Sequence, residues 1–339
     1  MATLKDISKL TGFSVTTVSR ALNNYDDVNE DTRQLINDAA KTLNYTPNVI
    51  AQNLVMKKSK TIGLIVSSLK KESAKNNLIY EILRGVYDTV EHLGYEFILL
   101  STSSAKQKNQ TFEQIVSKRQ LAGVIIQGLK MDDPYLEEAK RSKIPSVLID
   151  IPVTANHMSY VTSKQKESVI GAIKYLYRLN HRHIAYVNGT TVAHVSAERK
   201  QGYMDALALL GIEFNSDYVL QGEFDEEITR KVVTPFLIDN PQVTAVLCAS
   251  DTMALGVLKA AKSLNIDVPT QLSVIGYNNM LLAAYFTPPL TTIAQDPYQM
   301  AEESAKLLVD IIENPDNIPS PRIVENELMI RESVAIAYQ

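Results

Sequence analysis

TLKDISKLTGFSVTTVSRALN, running from Thr3 to Asn23, reads as two short helices joined by a tight turn. Thr3 followed by Asp6 makes a capping-box-like start. Leu4, Ile7 and Leu10 recur at helical spacing and define one apolar face. Gly12 supplies the left-handed position that ends the first helix. Ser14 is placed to cap the second, in which Val18 and Leu22 face inward. The outer face then carries Val15, Thr16, Thr17, Ser19 and Arg20. It is small, hydroxyl-bearing and cationic, which suits major-groove edges and phosphates. An ordinary helical hairpin with a solvated polar face would carry the same pattern, so this stretch alone leaves both readings open.

Working outward, Val28 and Asn29 precede a third helical pattern, with Asn29 as its cap and Leu35, Ile36, Ala39, Ala40 and Leu43 as a buried stripe. Tyr45-Thr46-Pro47 ends it, because the residue before proline is pushed out of helical geometry. The short PNVIAQNLV that follows could form a helix capped by Asn48, but one so short needs a partner helix or a DNA surface to persist. Lys57, Lys58 and Lys60 then read as a basic linker, either solvated or touching phosphate.

From Thr61 the pattern changes. Runs rich in Val and Ile, namely TIGLIV, YEFILL, AGVIIQ, SVLIDI, HIAYVNG, TAVLCAS and LSVIGYN, alternate with helical stretches such as Leu78 to Leu93 and Gln165 to Leu179. Near-continuous hydrophobicity in the runs suggests strands buried on both faces of a parallel sheet. The alternation is that of an α/β, doubly wound architecture, as one large sheet or as two smaller lobes. Ligands of such sheets bind beyond the carboxyl ends of the strands. Ser67, Ser68, Asp150, Asn188, Ser250, Asp251, Asn278 and Asn279 stand there, and Arg199 opens a helix soon after the HIAYVNG run.

Composition limits the alternatives. The 339 residues exceed one ordinary domain, and 45% hydrophobic with 21% charged residues suits packed soluble cores. Residues 1–60 hold 8 Lys+Arg against 6 Asp+Glu, a balance of +2; the remainder holds 26 against 32, or −6. A mildly basic head on an acidic body results. The one cysteine, Cys248, excludes an intrachain disulfide and lies in an apolar run, where it reads as a buried structural thiol. The polar start MATLKDISKL lacks a signal-peptide core, and no run reaches the ~18 apolar residues of a membrane span. A cytoplasmic protein is expected.

No GxGxxG, GxxxxGK[ST], metal-spaced His/Cys cluster or G-x-S-x-G elbow is present, so no cofactor, metal or nucleophile is indicated. His181 and His183 flank Arg182 ahead of a strand, where solvent exposure is the expected state. The chemistry left to the chain is binding.

At this point the head together with VNEDTR and LNYTPNVIAQNL resembles the lactose/galactose-repressor family of bacterial transcription regulators. In the body, ILRGVYD, AERKQGY, ASDTMALGVL, VIGYNN and PPLTTIAQD resemble the same family's motifs in order and spacing. The resemblance implies a helix-turn-helix head (1–46), a hinge helix and linker (47–60) and a two-lobed sugar-binding-protein-like core that dimerises. Crossovers near Val161, Thr292 and Val324 would divide the core into 61–161 plus 293–324 and 162–292 plus 325–339. By position it makes Val15, Thr16 and Arg20 base readers, and Thr17, Ser19 and Asn23 phosphate contacts. Leu54 would be a minor-groove wedge, Ala51 the small residue between paired hinge helices, and Asn48 a further DNA-facing hinge position.

In the cleft the resemblance assigns Asp150, Arg199, Phe224, Ser250 and Asn278 to an effector, with Ser67 at the first strand end. Many relatives carry Asn in place of Ser250 and Asp in place of Asn278. The long SSLKKESAKNNLIYEILRG segment is closer to the maltose-regulator branch, which favours an oligosaccharide. No leucine heptad follows the RES strand, so a homodimer is expected. The implied function is a cytoplasmic repressor of carbohydrate-utilisation genes, nucleoid-associated when bound to a palindromic operator and released by a sugar. The alternative is a regulator whose DNA binding is enhanced by a small-molecule or phosphoprotein corepressor.

Overall fold

The computed structural model describes residues 2–23, 25, 27–45, 59–67, 78–107 and 109–338. The chain divides into two compact units, Met1–Lys60 and Thr61–Gln339. Asn48, Ala51, Leu54 and Ser68 lie outside the described residues.

In the first unit, helices α1 (Leu4–Thr11), α2 (Val15–Leu22) and α3 (Glu30–Thr42) follow the expected boundaries closely. Asp6 Oδ2 accepts from the Thr3 backbone N–H at 2.9 Å and from its hydroxyl at 2.7 Å. Gly12 takes φ 77°, a conformation costly for a residue with a Cβ. The Ser14 hydroxyl oxygen accepts from Thr17 N–H at 3.1 Å, and Asn29 Oδ1 from Thr32 N–H at 2.8 Å. Ile7, Val18, Ala21, Val28, Ile36, Ala39 and Ala40 form the small core. Two apolar residues expected in that core stand outside it, Leu10 at 56% and Leu35 at 52% exposure. The full buried area of three aliphatic side chains, at ~1.5–3 kcal/mol each, goes to Ile7, Val18 and Ile36 instead. Ala21 packs fully inside, while Leu22 is half-buried and packs against the margin of the cluster.

The second unit contains two six-stranded sheets. The first is β1 (Thr61–Ser67), β2 (Glu96–Thr102), β3 (Gly123–Gln127), β4 (Ser146–Ile149), β5 (Met158–Ser163) and β11 (Arg322–Val324), in the order β11-β5-β4-β3-β1-β2 and parallel throughout. The second is β6 (Ile184–Asn188), β7 (Val219–Gln221), β8 (Ala245–Cys248), β9 (Ser273–Tyr277), β10 (Thr291–Ala294) and β12 (Glu327–Met329), in the order β12-β10-β9-β8-β6-β7, with only β12 antiparallel. Two lobes, rather than one large sheet, are formed. The chain passes from the first sheet to the second after β5, returns after β10, and passes again between β11 and β12.

Helices α4 (Leu78–His92), α5 (Ser104–Gln107), α6 (Phe112–Lys118), α7 (Pro134–Arg141) and α12 (Pro297–Glu313) accompany the first sheet. Helices α8 (Gln165–Arg178), α9 (His194–Leu209), α10 (Glu226–Asp239) and α11 (Asp251–Ser263) accompany the second, packed as the pairs α8–α9 and α10–α11. Strands β1, β3, β4, β6, β8 and β9 are buried almost end to end, as expected of parallel strands covered on both faces. The YEFILL run departs from that pattern. It forms edge strand β2, with Leu99 44% exposed, because no strand lies beyond it.

Cys248 is buried in the second core, and burial raises its thiol well above the usual range. His181 corrects the expectation of solvent exposure. It is 2% exposed, with Nδ1 2.9 Å from Thr244 Oγ1 and Nε2 3.0 Å from Ala335 O, and it joins the start of β6 to the C-terminal segment. His183 is exposed and edges the Tyr218 ring. Among the described residues no helix is long and apolar enough to cross a membrane, and no group of His, Cys, Asp and Glu could hold a metal.

Candidate functional site

On the head, α2 presents Val15, Thr16 and Arg20 to solvent, while Thr17, Ser19 and Asn23 are half-buried. Their hydrogen bonds divide them further. The Thr17 hydroxyl lies 2.9 Å from the Ser14 hydroxyl, and Asn23 Nδ2 donates to Ser19 O at 2.7 Å, so these groups help close the ends of α2. Arg20 is held by Asp27, with Nε 3.1 Å from Oδ1 and Nη2 2.6 Å from Oδ2, and its Cζ lies 4.9 Å from the Tyr25 ring centroid. The pair is exposed on both sides, which makes it a weak tether of ~0–1 kcal/mol.

Among the described residues of both units, positive φ angles separate structural from candidate functional positions. Asn44, Gln120, Asn180 and Asn265 take φ of 48–72° just past helix ends, an ordinary way to terminate a helix. The rest of the non-glycine cases gather beyond strand ends: Asp150 (61°) after β4, Glu223 (54°) and Phe224 (58°) after β7, and Asn278 (101°) and Asn279 (52°) after β9. Such backbone persists where its surroundings over-determine it, and it clusters at binding sites.

Asp150 extends from the first lobe. Thr162 Oγ1 donates to its Oδ1 at 2.8 Å, Gln165 Nε2 to the same oxygen at 3.2 Å, and Gln295 Nε2 approaches Oδ2 at 3.5 Å. Burial pushes the Asp150 carboxyl above the usual carboxylate range, against the pull of the Arg199 charge and these donors. Arg199, on α9 of the second lobe, is 3% exposed. Its Nε donates to Gln165 Oε1 at 2.7 Å and its Nη1 to Ala249 O at 2.6 Å, while Cζ sits 3.6 Å from the Tyr277 ring centroid. Gln165 therefore joins the carboxylate of one lobe to the guanidinium of the other.

The remaining candidates are placed by the second lobe. The Phe224 ring lies on Gly189 so closely that a Cβ there would be 2.1 Å from Phe224 Cζ. Ser250 caps α11, accepting from Met253 N–H at 3.2 Å, and Asn278 N–H donates to Ile293 O at 2.8 Å. Asp251 is buried beside Ser250 and receives the Thr292 hydroxyl and Met280 N–H, both at 2.6 Å. It holds the turn that carries Asn278 and Asn279. Burial raises its pKa to about 7. Ser67 ends β1 half-buried, and it stands apart from the hydrogen-bonded group of Asp150, Gln165 and Arg199. An open groove of about 650 Å3, bordered by Glu81 and Arg84 of α4 together with Asn279, Gln295 and Asn326, adjoins the points where the chain changes lobes.

Sequence reasoning missed Thr162, Gln165, Tyr277, Gln295 and Asn326. Gln295 lies inside PPLTTIAQD, and Gln165 opens an anticipated helix, but neither signals its chemistry until the lobes meet. What the site offers is hydrogen bonding, one buried cation, the half-buried carboxylate of Asp150 and an aromatic face, a combination suited to a polar ligand.

Residues 3–48 match the family described as bacterial regulatory proteins, lacI family, and residues 173–334 match the periplasmic binding protein-like domain. The chain is 30% identical over 335 residues to the HTH-type transcriptional repressor PurR of Vibrio cholerae, covering 98% of both. It is 32% identical over 333 residues to the repressor CytR of Escherichia coli, covering 98% of this chain and 96% of that one. Among solved structures, a complex of the transcriptional regulator CelR with cellobiose superposes with a TM-score of 0.76 at 28% identity, covering 98% of this chain and all of that one. A lac repressor dimer bound to operator and the anti-inducer ONPF shares the fold, at a TM-score of 0.83 and 24% identity over 98% of this chain and 99% of that one.

Proposed function

Since the chain belongs to the lacI family of bacterial regulatory proteins and is a DNA-binding transcriptional repressor, we propose that a carbohydrate bound between its core lobes releases it from a palindromic operator. The observation that carries this reading is the bridge from Asp150 through Gln165 to Arg199, which places a carboxylate of one lobe and a guanidinium of the other on a common amide. Vicinal hydroxyls match such a pair, and Phe224 offers a face for a sugar ring, with Ser67, Ser250 and Asn278 completing the contacts. The cellobiose complex of CelR supports a saccharide as the ligand class.

On DNA, Val15, Thr16 and Arg20 read base edges and Thr17, Ser19 and Asn23 face phosphates. Asn48, Ala51 and Leu54 belong to a hinge segment of residues 47–60 between the head (1–46) and the core. The core divides as 61–161 with 293–324 and 162–292 with 325–339. It acts in the cytoplasm as a homodimer, and it binds its ligand without transforming it. A thermal-shift screen against mono-, di- and trisaccharides tests the ligand class, because a ligand of the folded state raises stability by mass action. Operator binding is then measured with each stabilising sugar. Weaker binding supports induction, and tighter binding overturns it in favour of corepression.

A further inference from the structure

The HRH triplet ahead of β6 divides its side chains. His181 turns into the core, while Arg182 and His183 stay at the surface and border a cavity of about 630 Å3. This cavity lies at the amino end of β6, beside Ile184, whereas the candidate effector site lies beyond the carboxyl end of the same strand, past Asn188. Four steps of strand at ~3.3 Å each separate the two ends by roughly 13 Å. The stacked rings of Tyr186 and Tyr203, both fully buried with centroids 5.1 Å apart, occupy the interior between them.

The walls of the cavity are aromatic. Phe214, 39% exposed, meets the Tyr203 ring edge to face at 6.3 Å. His183 meets the Tyr218 ring in the same way at 6.5 Å. Tyr218 is itself fixed, by the Phe236 ring at 5.7 Å and by Gln242 Nε2, which donates to its hydroxyl at 2.8 Å. A concave surface built from rings that are already held in place suits a flat aromatic ligand.

Two opposite charges line the same cavity without pairing. Arg182 is oriented from behind: Nη1 donates to Tyr177 O at 2.9 Å and to His181 O at 3.0 Å, and Cζ lies 3.7 Å from the Tyr177 ring centroid. These contacts leave Nε and Nη2, the edge that grips a carboxylate with two parallel bonds, without a partner among the described residues. Glu213, exposed beside Phe214, makes no ion pair or hydrogen bond with Arg182 or with any other described residue.

We propose that this cavity is a second small-molecule site and that it takes an aromatic α-amino acid, with the ring against Phe214 and Tyr218, the carboxylate on Arg182 and the ammonium on Glu213. The charges select the class. An aryl phosphate would bring its negative charge against Glu213, and an aromatic amine would bring a positive one against Arg182. A saccharide would leave both charges unanswered. A zwitterion that carries a ring matches both charges and the walls together, and this inference is independent of the ligand assigned to the cleft.

Isothermal titration calorimetry on the full-length protein tests the site with L-phenylalanine, L-tyrosine and L-tryptophan, each beside its deaminated and its decarboxylated analogue. At least one of the three amino acids is expected to bind, and both of its analogues to bind more weakly. Arg182→Gln should weaken the amino acid about tenfold or more while leaving its decarboxylated analogue unchanged, and Glu213→Gln should act likewise while sparing the deaminated analogue. Phe214→Ala should weaken all three forms. All three side chains are exposed, so these variants keep the fold.

The cleft also holds an arginine, a carboxylate and an aromatic ring, and Phe224→Ala separates the two sites. Binding that survives Phe224→Ala and falls in Phe214→Ala supports the second site. The reverse pattern places the amino acid in the cleft and overturns it, as does the absence of binding by all three amino acids. An analogue lacking either charge that binds as tightly as its parent overturns the assignment of a zwitterion.

Discussion

Arg199 Cζ sits 3.6 Å from the centroid of the Tyr277 ring, and both side chains donate to one acceptor, Gln165 Oε1. The aromatic face takes up part of the guanidinium's positive field, while Gln165 fixes its direction. Arg199→Leu would leave Ala249 O and Gln165 Oε1 without this donor, and the half-buried Asp150 without its neighbouring charge. A stability loss of about 2–4 kcal/mol is expected, read as a lower urea midpoint at unchanged slope. Arg199→Lys should recover only part of it, because an ammonium cannot both stack and donate along two fixed directions.

Arg20 is expected to exchange Asp27 for a guanine edge when the head meets its operator. Arg20→Ala should cost about 1–3 kcal/mol of discrimination between operator and a sequence altered at one base pair. Asp27→Asn should leave that discrimination intact while strengthening binding to every sequence, since it removes a negative charge close to the backbone. Titrations of both variants by fluorescence anisotropy over a range of salt separate these outcomes. Equal losses on operator and altered DNA for Arg20→Ala would assign that residue to phosphate instead.

The head was legible because capping and turn chemistry are local: Thr3, Asp6, Gly12, Ser14 and Asn29 each act within a few residues of their place in the chain. Six strands were legible because parallel strands buried on both faces are apolar throughout, and the edge strand β2 was legible because its run is apolar although it is partly exposed. Strands β5, β7, β10, β11 and β12 were not. Thr291 and Thr292 look polar, yet both are fully buried, with their hydroxyls taken up by Arg331 N–H and Asp251. Among the site residues, Asp150 and Arg199 were placed by motif. Gln295 and Asn326 acquire their role only through contacts across 132 and 163 residues, and Gln165 through contacts across 34 and 112, which no local pattern records.

Asp251 should give the core a measurable pH dependence. Its ordinary value is 3.8 and burial raises it to about 7, so between these limits the folded protein holds a proton that the unfolded chain has lost. Stability from this group is therefore full below the window and declines as pH rises to about 7, by roughly 2–4 kcal/mol in all. Asp251→Asn cannot ionise and should lack the decline. Urea unfolding at pH 5 and pH 8 compares the two proteins. Parallel curves for wild type and variant would remove Asp251 as the source.

His181 acts with the opposite sign. Burial lowers its pKa from 6.5, so on acidification the unfolded chain takes up the proton first, and stability is lost as pH falls below 6.5. His181→Gln removes the titration. The difference in unfolding free energy between wild type and this variant should shrink from pH 7.5 to pH 5.5, whereas a loss independent of pH would assign His181 a packing role alone.

Gly189 tests whether the position of Phe224 is set by the strand beneath it. An alanine Cβ would lie 2.1 Å from Phe224 Cζ and also within 2.6 Å of both Cε atoms, so the ring must swing away. Gly189→Ala should cost about 1–3 kcal/mol as an overpacked contact, and any saccharide that stabilises wild type should lose that effect. In a Phe224→Ala background the obstacle is gone, and the same substitution should cost close to nothing. The double-mutant cycle then returns a coupling energy nearly as large as the single-variant loss. Additive losses would mean that Gly189 is required for backbone reasons and that Phe224 is held by the left-handed turn at Glu223 and Phe224 alone.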